Sequence, residues 1–512
     1  MCRLRTIAIF LGICLVLYLF ASILLLILSP LQIPHHIHHS VSTSLDGDLH
    51  DNSTVLADFS FTSNETAAAY GGKFFFGVAT APAQVEDSLD DMWLEFARKI
   101  GSSVRSWHQV PKPDERLRFW SDPEPEIMLA RSSGATVFRM GIDWGRIVPM
   151  EPSVHGGTLM AAHIDSINRY KIIMEMVHAH GMRVMLTLFH HSMPKWAMDY
   201  GGWVATDGGI RTASYFAEFA ALARDNFGHL VDYWITFNEP DIFAMLTYCS
   251  GGLWPSNLVL NPNPNRLSFL LCVSPWGRYG KAMSAITKAH KAAYKELKLR
   301  NESILVGVAH AVAVIRPYSL LDAPVAVLVR RILHFPWIQS IETHLDFCGI
   351  NYYGQEVVSI AGLMFDEEEE YSEAGRSVFP EGLPLVLSAF HSRFPRLPFV
   401  ITENGVADSL DALRRPYLIE HLIALHFAIA HLGIPVIGYI HWTLSDNWEW
   451  SDGYCPKFGL VHVDRLHNLT RLPCPSFHLY HEISESGLVT RPQRVREWET
   501  LQALVRSQTF RP

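Results

Sequence analysis

From Lys73 onward the chain alternates short apolar runs, rich in β-branched and aromatic residues, with longer stretches whose apolar positions recur every three to four residues. The short runs predict eight strands: Phe74 to Thr80, Thr136 to Asp143, Arg183 to Phe189, Tyr233 to Phe237, Leu305 to Ala313, Phe347 to Tyr352, Phe399 to Thr402 and Val436 to Trp442. Between them, helical spacing runs over His163 to His180, Thr212 to Phe227, Gly277 to Lys298 and Pro416 to His431. This order predicts an α/β domain with a parallel sheet covered by helices, and eight such units suit a single (β/α)8 barrel of TIM type over residues 70–505. An open doubly wound sheet is the competing architecture, but no Gly-x-Gly-x-x-Gly follows a first strand, so nucleotide chemistry lacks its phosphate cradle.

The N-terminus is patterned differently. Arg3 and Arg5 precede a run without charges from Thr6 to Leu31. Its nearly all-aliphatic part, Ile7 to Leu28, would span roughly 30 Å as a helix, enough to cross a bilayer. Residues 1–33 are therefore expected to be an uncleaved transmembrane anchor, with a cleaved secretory signal as the alternative. The two arginines, with no further Lys or Arg before Lys73, place the N-terminus in the cytosol and the barrel across the membrane. Residues 34–69, which include His35, His36, His38 and His39 and then many Ser, Thr, Asp and Asn, read as a flexible linker.

Composition narrows the partners. A chain of 512 residues, 49% hydrophobic and 12% aromatic, can bury a large core. Its net charge of −9 and scattered basic residues argue against a nucleic-acid partner. The seven cysteines are odd in number and widely spaced, with no Cys-x-x-Cys, so neither a disulfide framework nor a zinc site is expected. The acidic run Asp366 to Glu370 reads as a solvated loop.

The chemistry gathers at the strand ends. Glu239 in Trp-Ile-Thr-Phe-Asn-Glu-Pro and Glu403 in Phe-Val-Ile-Thr-Glu-Asn-Gly each end an apolar run and are followed by turn residues, where a parallel barrel keeps its reactive groups. Two carboxyls about 5 to 5.5 Å apart can cleave a glycosidic bond with retention, one as nucleophile and one as proton donor. Other strand ends carry Gln84 and Glu86, His190 and His191, Asn238, and Asn351 with Tyr353. The last strand runs into Trp442-Thr-Leu-Ser-Asp-Asn-Trp-Glu449-Trp450, with Phe458 shortly beyond. Polar forks for vicinal hydroxyls and aromatic faces for a ring's C–H face are what a bound sugar requires.

Taken in order, these segments resemble glycoside hydrolase family 1, the retaining β-glycosidases built on a (β/α)8 barrel, over roughly Lys73 to Leu504. The resemblance implies that Glu239 is the general acid/base and Glu403 the nucleophile. It also implies that Gln84, His190, Asn238, Asn351, Trp442, Glu449 and Trp450 bind the sugar, with Phe458 at its edge. Tyr353 would hydrogen-bond the nucleophile and Arg139, on the second strand, would pair with it. His191 stands where the family usually has Trp. On this reading Glu403 stays ionised while Glu239 has a raised pKa and is protonated. No metal or other cofactor is implied.

The segments at 73–83, 85–93, 187–194 and 439–450 depart from ordinary plant β-glucosidases. They look like the family's plant galactolipid galactosyltransferases, associated with freezing tolerance, which move galactose between monogalactosyl diacylglycerols at the chloroplast outer envelope. That resemblance implies a retaining transferase whose partners are a galactolipid and, through the N-terminal helix, a membrane. Hydrolysis of β-glucosides or β-galactosides, and glycolipid binding without turnover, are the alternatives. The histidine- and acid-rich linker leaves the endomembrane route as an alternative location.

Overall fold

The β-branched and aromatic runs form eight parallel strands in the computed structural model, which describes residues 54–60, 73–100, 116–256, 266–367 and 369–507. They are β1 (Phe75–Ala79), β2 (Val137–Gly141), β3 (Arg183–Phe189), β4 (Tyr233–Asn238), β5 (Leu305–Pro317), β6 (Phe347–Ser359), β7 (Phe399–Asn404) and β8 (Val436–His441). Each strand pairs with its sequence neighbour, and β8 pairs with β1. The sheet therefore closes into a barrel without a free edge.

Alternation along each strand divides its side chains between two environments. Phe75, Val137, Met185, Tyr233, Phe347 and Val400 fill the barrel's interior. Phe76, Val78, Phe138, Met140, Val184 and Leu186 face the surrounding helices. Gly438 on β8 makes room for this interior, because a Cβ there would lie 2.3 Å from the Phe75 ring. The helices expected from periodicity are present as α1 (Ile164–Ala179), α2 (Ile210–Phe227), α5 (Arg278–Lys298) and α8 (Arg414–Ala430). Two short helices precede α5 in the β4–β5 connection, α3 (Pro240–Tyr248) and α4 (Arg266–Val273). Further on, α6 (Ala323–Leu333) and α7 (Gly382–Arg393) follow β5 and β6.

Three findings differ from the sequence reading. β5 and β6 run past their expected ends, and their pairing continues from Val314 with Gln355 to Pro317 with Val358. The Gly362–Met364 strand folds back on β6, so a three-stranded ribbon stands beyond the barrel's C-terminal mouth. Cys249 and Cys272 form a disulfide with a Cα separation of 5.6 Å, which corrects the expectation of none. Their 23-residue separation carries no signature, and only the packing of α3, α4 and α5 brings them together. Finally, the expected linker contains a strand, Val55–Asp58, paired antiparallel with Leu488–Thr490. Its Val-Leu-Ala triplet is a short apolar run in polar surroundings, and Leu56 and Ala57 are buried.

Among the described residues, no helix is long and apolar enough to cross a membrane. The run Ile7 to Leu28 and the cluster His35 to His39 lie outside the described residues.

Candidate active site

The barrel's registers bring the two glutamates to one mouth. Asn351 on β6 is the Cα partner of Glu403 on β7, and Glu239, just beyond β4, donates its backbone N–H to Ala309 of β5 at 2.8 Å. Side chains then join them. Arg139 on β2 donates to Glu403 Oε1 at 2.7 Å, to the Thr402 carbonyl at 2.9 Å and to Asn238 Oδ1 at 2.6 Å. Asn351 donates to Glu239 Oε1 at 2.9 Å and to Asn238 Oδ1 at 3.1 Å, while Thr402 donates to Asn351 Oδ1 at 2.7 Å. Tyr353 donates its hydroxyl to Glu403 Oε2 at 2.7 Å. Every residue in this network except Tyr353 and Glu239 is at most 3% exposed, so the carboxyls are held in place by groups that cannot move without breaking buried bonds.

Glu239 also carries backbone strain. Its φ of 42° puts it in the left-handed region, where it caps α3 directly before Pro240. His191 at the end of β3 is similar, with φ of 58°. The turn directs its imidazole at Glu239, with Nε2 3.7 Å from Oε2, and rings of Trp254 and Trp450 pack against it at 4.8 and 5.1 Å.

The remaining sequence-derived positions converge on the same space. Asn238 contacts His190 Nε2 at 3.0 Å, and His190 packs against Trp442 and Trp450 at 5.7 and 5.9 Å. Gln84 donates to the Trp448 carbonyl at 2.8 Å and to Glu449 Oε2 at 3.2 Å, which brings these two polar side chains together. Phe458 meets the Tyr353 ring edge-on at 6.0 Å. Glu86 does not join them. It turns toward α1, where Tyr170 donates to it at 2.8 and 2.9 Å and Arg146 lies at 3.0 Å.

The protonation pattern reverses the sequence expectation. Burial pushes Glu403 up to about 7, and the charge of Glu239 adds to this against the pull of Arg139. Burial also pushes Glu239 upward, but His191, Arg376 and the Asn351 hydrogen bond outweigh it and bring it below the ordinary glutamate value. His191 in turn is lowered by burial, so its imidazole is neutral near pH 7. At 3.7 Å the neutral ring gives less than a full hydrogen bond, so its pull on Glu239 is added to by the Arg376 charge and the Asn351 hydrogen bond. Two facing carboxylates cannot both ionise easily, and the pair keeps one proton near neutrality. Glu403 raised and Glu239 lowered in the free site is the opposite of the expected ionised Glu403 and protonated Glu239. Glu449 rises to about 8, by burial first, with Asp452, Glu403 and Glu239 adding.

Arg376 was missed by sequence reasoning. It lies in the loop between β6 and α7, with its guanidinium 4.6 Å from the Tyr353 ring centre. Although its outer surface is exposed, its charge acts on Glu239, Glu356 and Glu449. A lone Arg in a loop carries no motif. Asp241, the second residue of α3, was also missed; burial and the charge of Glu239 raise it well above the usual carboxylate range. Among the described residues, no group of three His, Cys, Asp or Glu side chains is placed to hold a metal.

Comparison with known proteins gives the same picture. Residues 66–337 and 333–488 match the sequence profile of Glycosyl hydrolase family 1. The chain is 45% identical over 513 residues to "Galactolipid galactosyltransferase SFR2, chloroplastic" of Arabidopsis thaliana, covering 90% of this chain and 80% of that protein. It is 41% identical to "Beta-glucosidase-like SFR2, chloroplastic" of Oryza sativa subsp. japonica, covering 90% and 82%. The crystal structure of the hyperthermophilic beta-glucosidase from Pyrococcus furiosus superposes with a TM-score of 0.70 at 25% identity, covering 82% of this chain and 97% of that one.

Proposed function

Because the chain belongs to glycosyl hydrolase family 1, we propose that it is a retaining galactosyltransferase that moves galactose from one monogalactosyl diacylglycerol to another. The observation that carries this reading is the network joining Arg139, Glu403, Tyr353, Asn351 and Glu239, together with the 45% identity to a relative named for that reaction.

In the first step Glu403 attacks the anomeric carbon, and Glu239 gives its proton to the departing glycerol oxygen, so diacylglycerol leaves and a covalent galactosyl ester forms. The reactive arrangement holds one proton across the pair, as the free site does, but on Glu239. Once Glu403 is esterified its charge is gone, which removes the repulsion between the carboxyls and makes Glu239 the base. A sugar hydroxyl of a second galactolipid then gives its proton to Glu239 and attacks the anomeric carbon. The Glu403 ester bond breaks and an oligogalactolipid results. Gln84, Glu449, His190, Asn238, Trp442 and Trp450 hold the galactose, and Phe458 and Tyr353 border it. A lipid hydroxyl takes the place of water as acceptor where the second headgroup fills the space beside the anomeric carbon.

Simple hydrolysis is the second reading, favoured by the beta-glucosidase-like name of the rice relative. Incubating the full chain with monogalactolipid in liposomes separates the two. Digalactolipid with diacylglycerol is the expected product, free galactose with diacylglycerol signals hydrolysis, and unchanged lipid overturns both. Residues 1–33 as membrane anchor and 34–69 as tether complete the proposal, with the chloroplast outer envelope as the site and fractionation of intact organelles as its test.

A further inference from the structure

We propose that the tip of the β5–β6 ribbon, together with Trp276, docks the barrel mouth-down on an uncharged, galactolipid-type bilayer surface. The inference deepens the galactolipid reading and rests on it for the choice of lipid.

The tip is apolar and exposed. Tyr318, Leu320, Ile360 and Leu363 are 52%, 50%, 70% and 69% exposed. They form one patch because Tyr318 donates its backbone N–H to Val358 at 2.9 Å and Asp322 accepts from the Ile360 N–H at 2.9 Å. Asp322 is turned inward, 7% exposed, and closes a capping box with Ser319. It is the one charged residue in both tip segments, 317–325 and 357–364. A tip that spends its hydrogen bonds internally, Ser319 on Asp322 included, and otherwise presents mainly apolar side chains has the chemistry of an interfacial anchor rather than of a solvated loop.

Its position relates it to the site. Tyr353, which holds Glu403, lies on the same strand as Val358, five residues or about 17 Å along β6. The tip thus overhangs the mouth into which a headgroup must enter. On the adjoining β4–β5 connection, at the same end of the barrel, Leu271 is 62% and Trp276 is 85% exposed. An exposed Trp beside leucines is the pairing found at membrane interfaces. Apolar points from two separate connections on one rim fit a continuous fluid surface. The sequence also carries the apolar run Ile7 to Leu28. From its end to the first described residue is few enough residues to keep the barrel within about 90 Å of a bilayer entered by that run. Charge selects the lipid: at the base of the hairpin Arg316 pairs with Asp366 at 2.6 Å and Glu369 at 3.2 Å, and with exposed Glu367 these three carboxylates outnumber the one guanidinium, so an anionic surface is disfavoured and a neutral glycolipid surface is not.

The test uses the full chain reconstituted in vesicles of monogalactolipid and phosphatidylcholine. A photoreactive benzophenone side chain at position Ile360 should crosslink to lipid acyl chains. The same group at Lys288, exposed on the side wall in α5, should not. In parallel, Ile360→Glu with Leu363→Glu should lower turnover of bilayer galactolipid about tenfold or more while leaving turnover of a soluble aryl β-galactoside within about twofold. Equal crosslinking at both positions, crosslinks from Ile360 to protein only, or undiminished bilayer turnover by the double variant would each overturn the proposal. Should the unmodified chain convert no galactolipid, the proposed function fails, and the crosslinking pattern decides the docking surface by itself.

Discussion

Arg139 on β2 reaches across the barrel to Glu403 on β7, its Nη1 2.7 Å from Oε1, while its Nη2 fixes Asn238 beside Glu239. One cation thus positions the neighbourhoods of both carboxyls. Arg139→Met should lower stability by about 3 to 5 kcal/mol, because it leaves a buried acid unpaired. It also removes the group that pulls the Glu403 pKa down, so the alkaline limb of kcat/KM should move to higher pH. An unchanged limb in the pH profile would contradict the pairing.

The protonation of the pair sets the wild-type profile. The singly protonated state exists between the lowered value of Glu239 and the value of about 7 at Glu403. A bell with its alkaline limb near 7 is therefore expected, whichever carboxyl carries the proton at rest. Initial rates on a soluble aryl β-galactoside across the range check this directly.

Removing either carboxyl should have unlike consequences. Glu403→Gln should abolish transfer and hydrolysis together, since no glycosyl ester can form. Glu239→Gln should cost about 10² to 10⁴-fold on substrates with poor leaving groups and much less on those needing no protonation. Equal losses on both leaving-group types would reverse the assignment of roles.

Stability should fall as pH rises through neutrality. Glu86, Glu403 and Glu449 are all raised in the folded protein, to about 7, 7 and 8, so folding is favoured where they are protonated. Their contribution is full below the unfolded value near 4.5 and is lost as pH passes each folded value. Melting temperatures should decline from about pH 4.5 to about pH 8 and level off above that, and Glu449→Gln should shrink the decline.

Arg376→Ala should raise the pKa of Glu239, because a nearby cation favours the carboxylate. The acid limb should then shift upward, and folding should lose about 1 kcal/mol at most with the contact to the Tyr353 ring. A profile identical to that of the parent would show that its charge does not reach the site.

Much of this was legible in the sequence because strand ends and reactive groups coincide in a parallel barrel. The Thr-Phe-Asn-Glu-Pro and Thr-Glu-Asn-Gly segments mark both where β4 and β7 stop and where the carboxyls sit. What escaped depends on through-space neighbours. The Cys249–Cys272 bridge follows from how two short helices pack, and Glu86 turned away because Tyr170 and Arg146 lie on elements far along the chain. The resting place of the shared proton depends on His191 and Arg376, whose approach to Glu239 no local pattern encodes. The ribbon past Tyr353 was missed because its side chains are apolar on faces that no core covers, so periodicity gave no boundary.

The left-handed backbone of Glu239 has a consequence for heat tolerance. A residue with a Cβ there bears about 1 to 2 kcal/mol that glycine would not, and its carboxyl also repels a buried neighbour. An inert Glu239→Gly protein should therefore outlast its working parent on warming, so that turnover and durability pull in opposite directions at this one position.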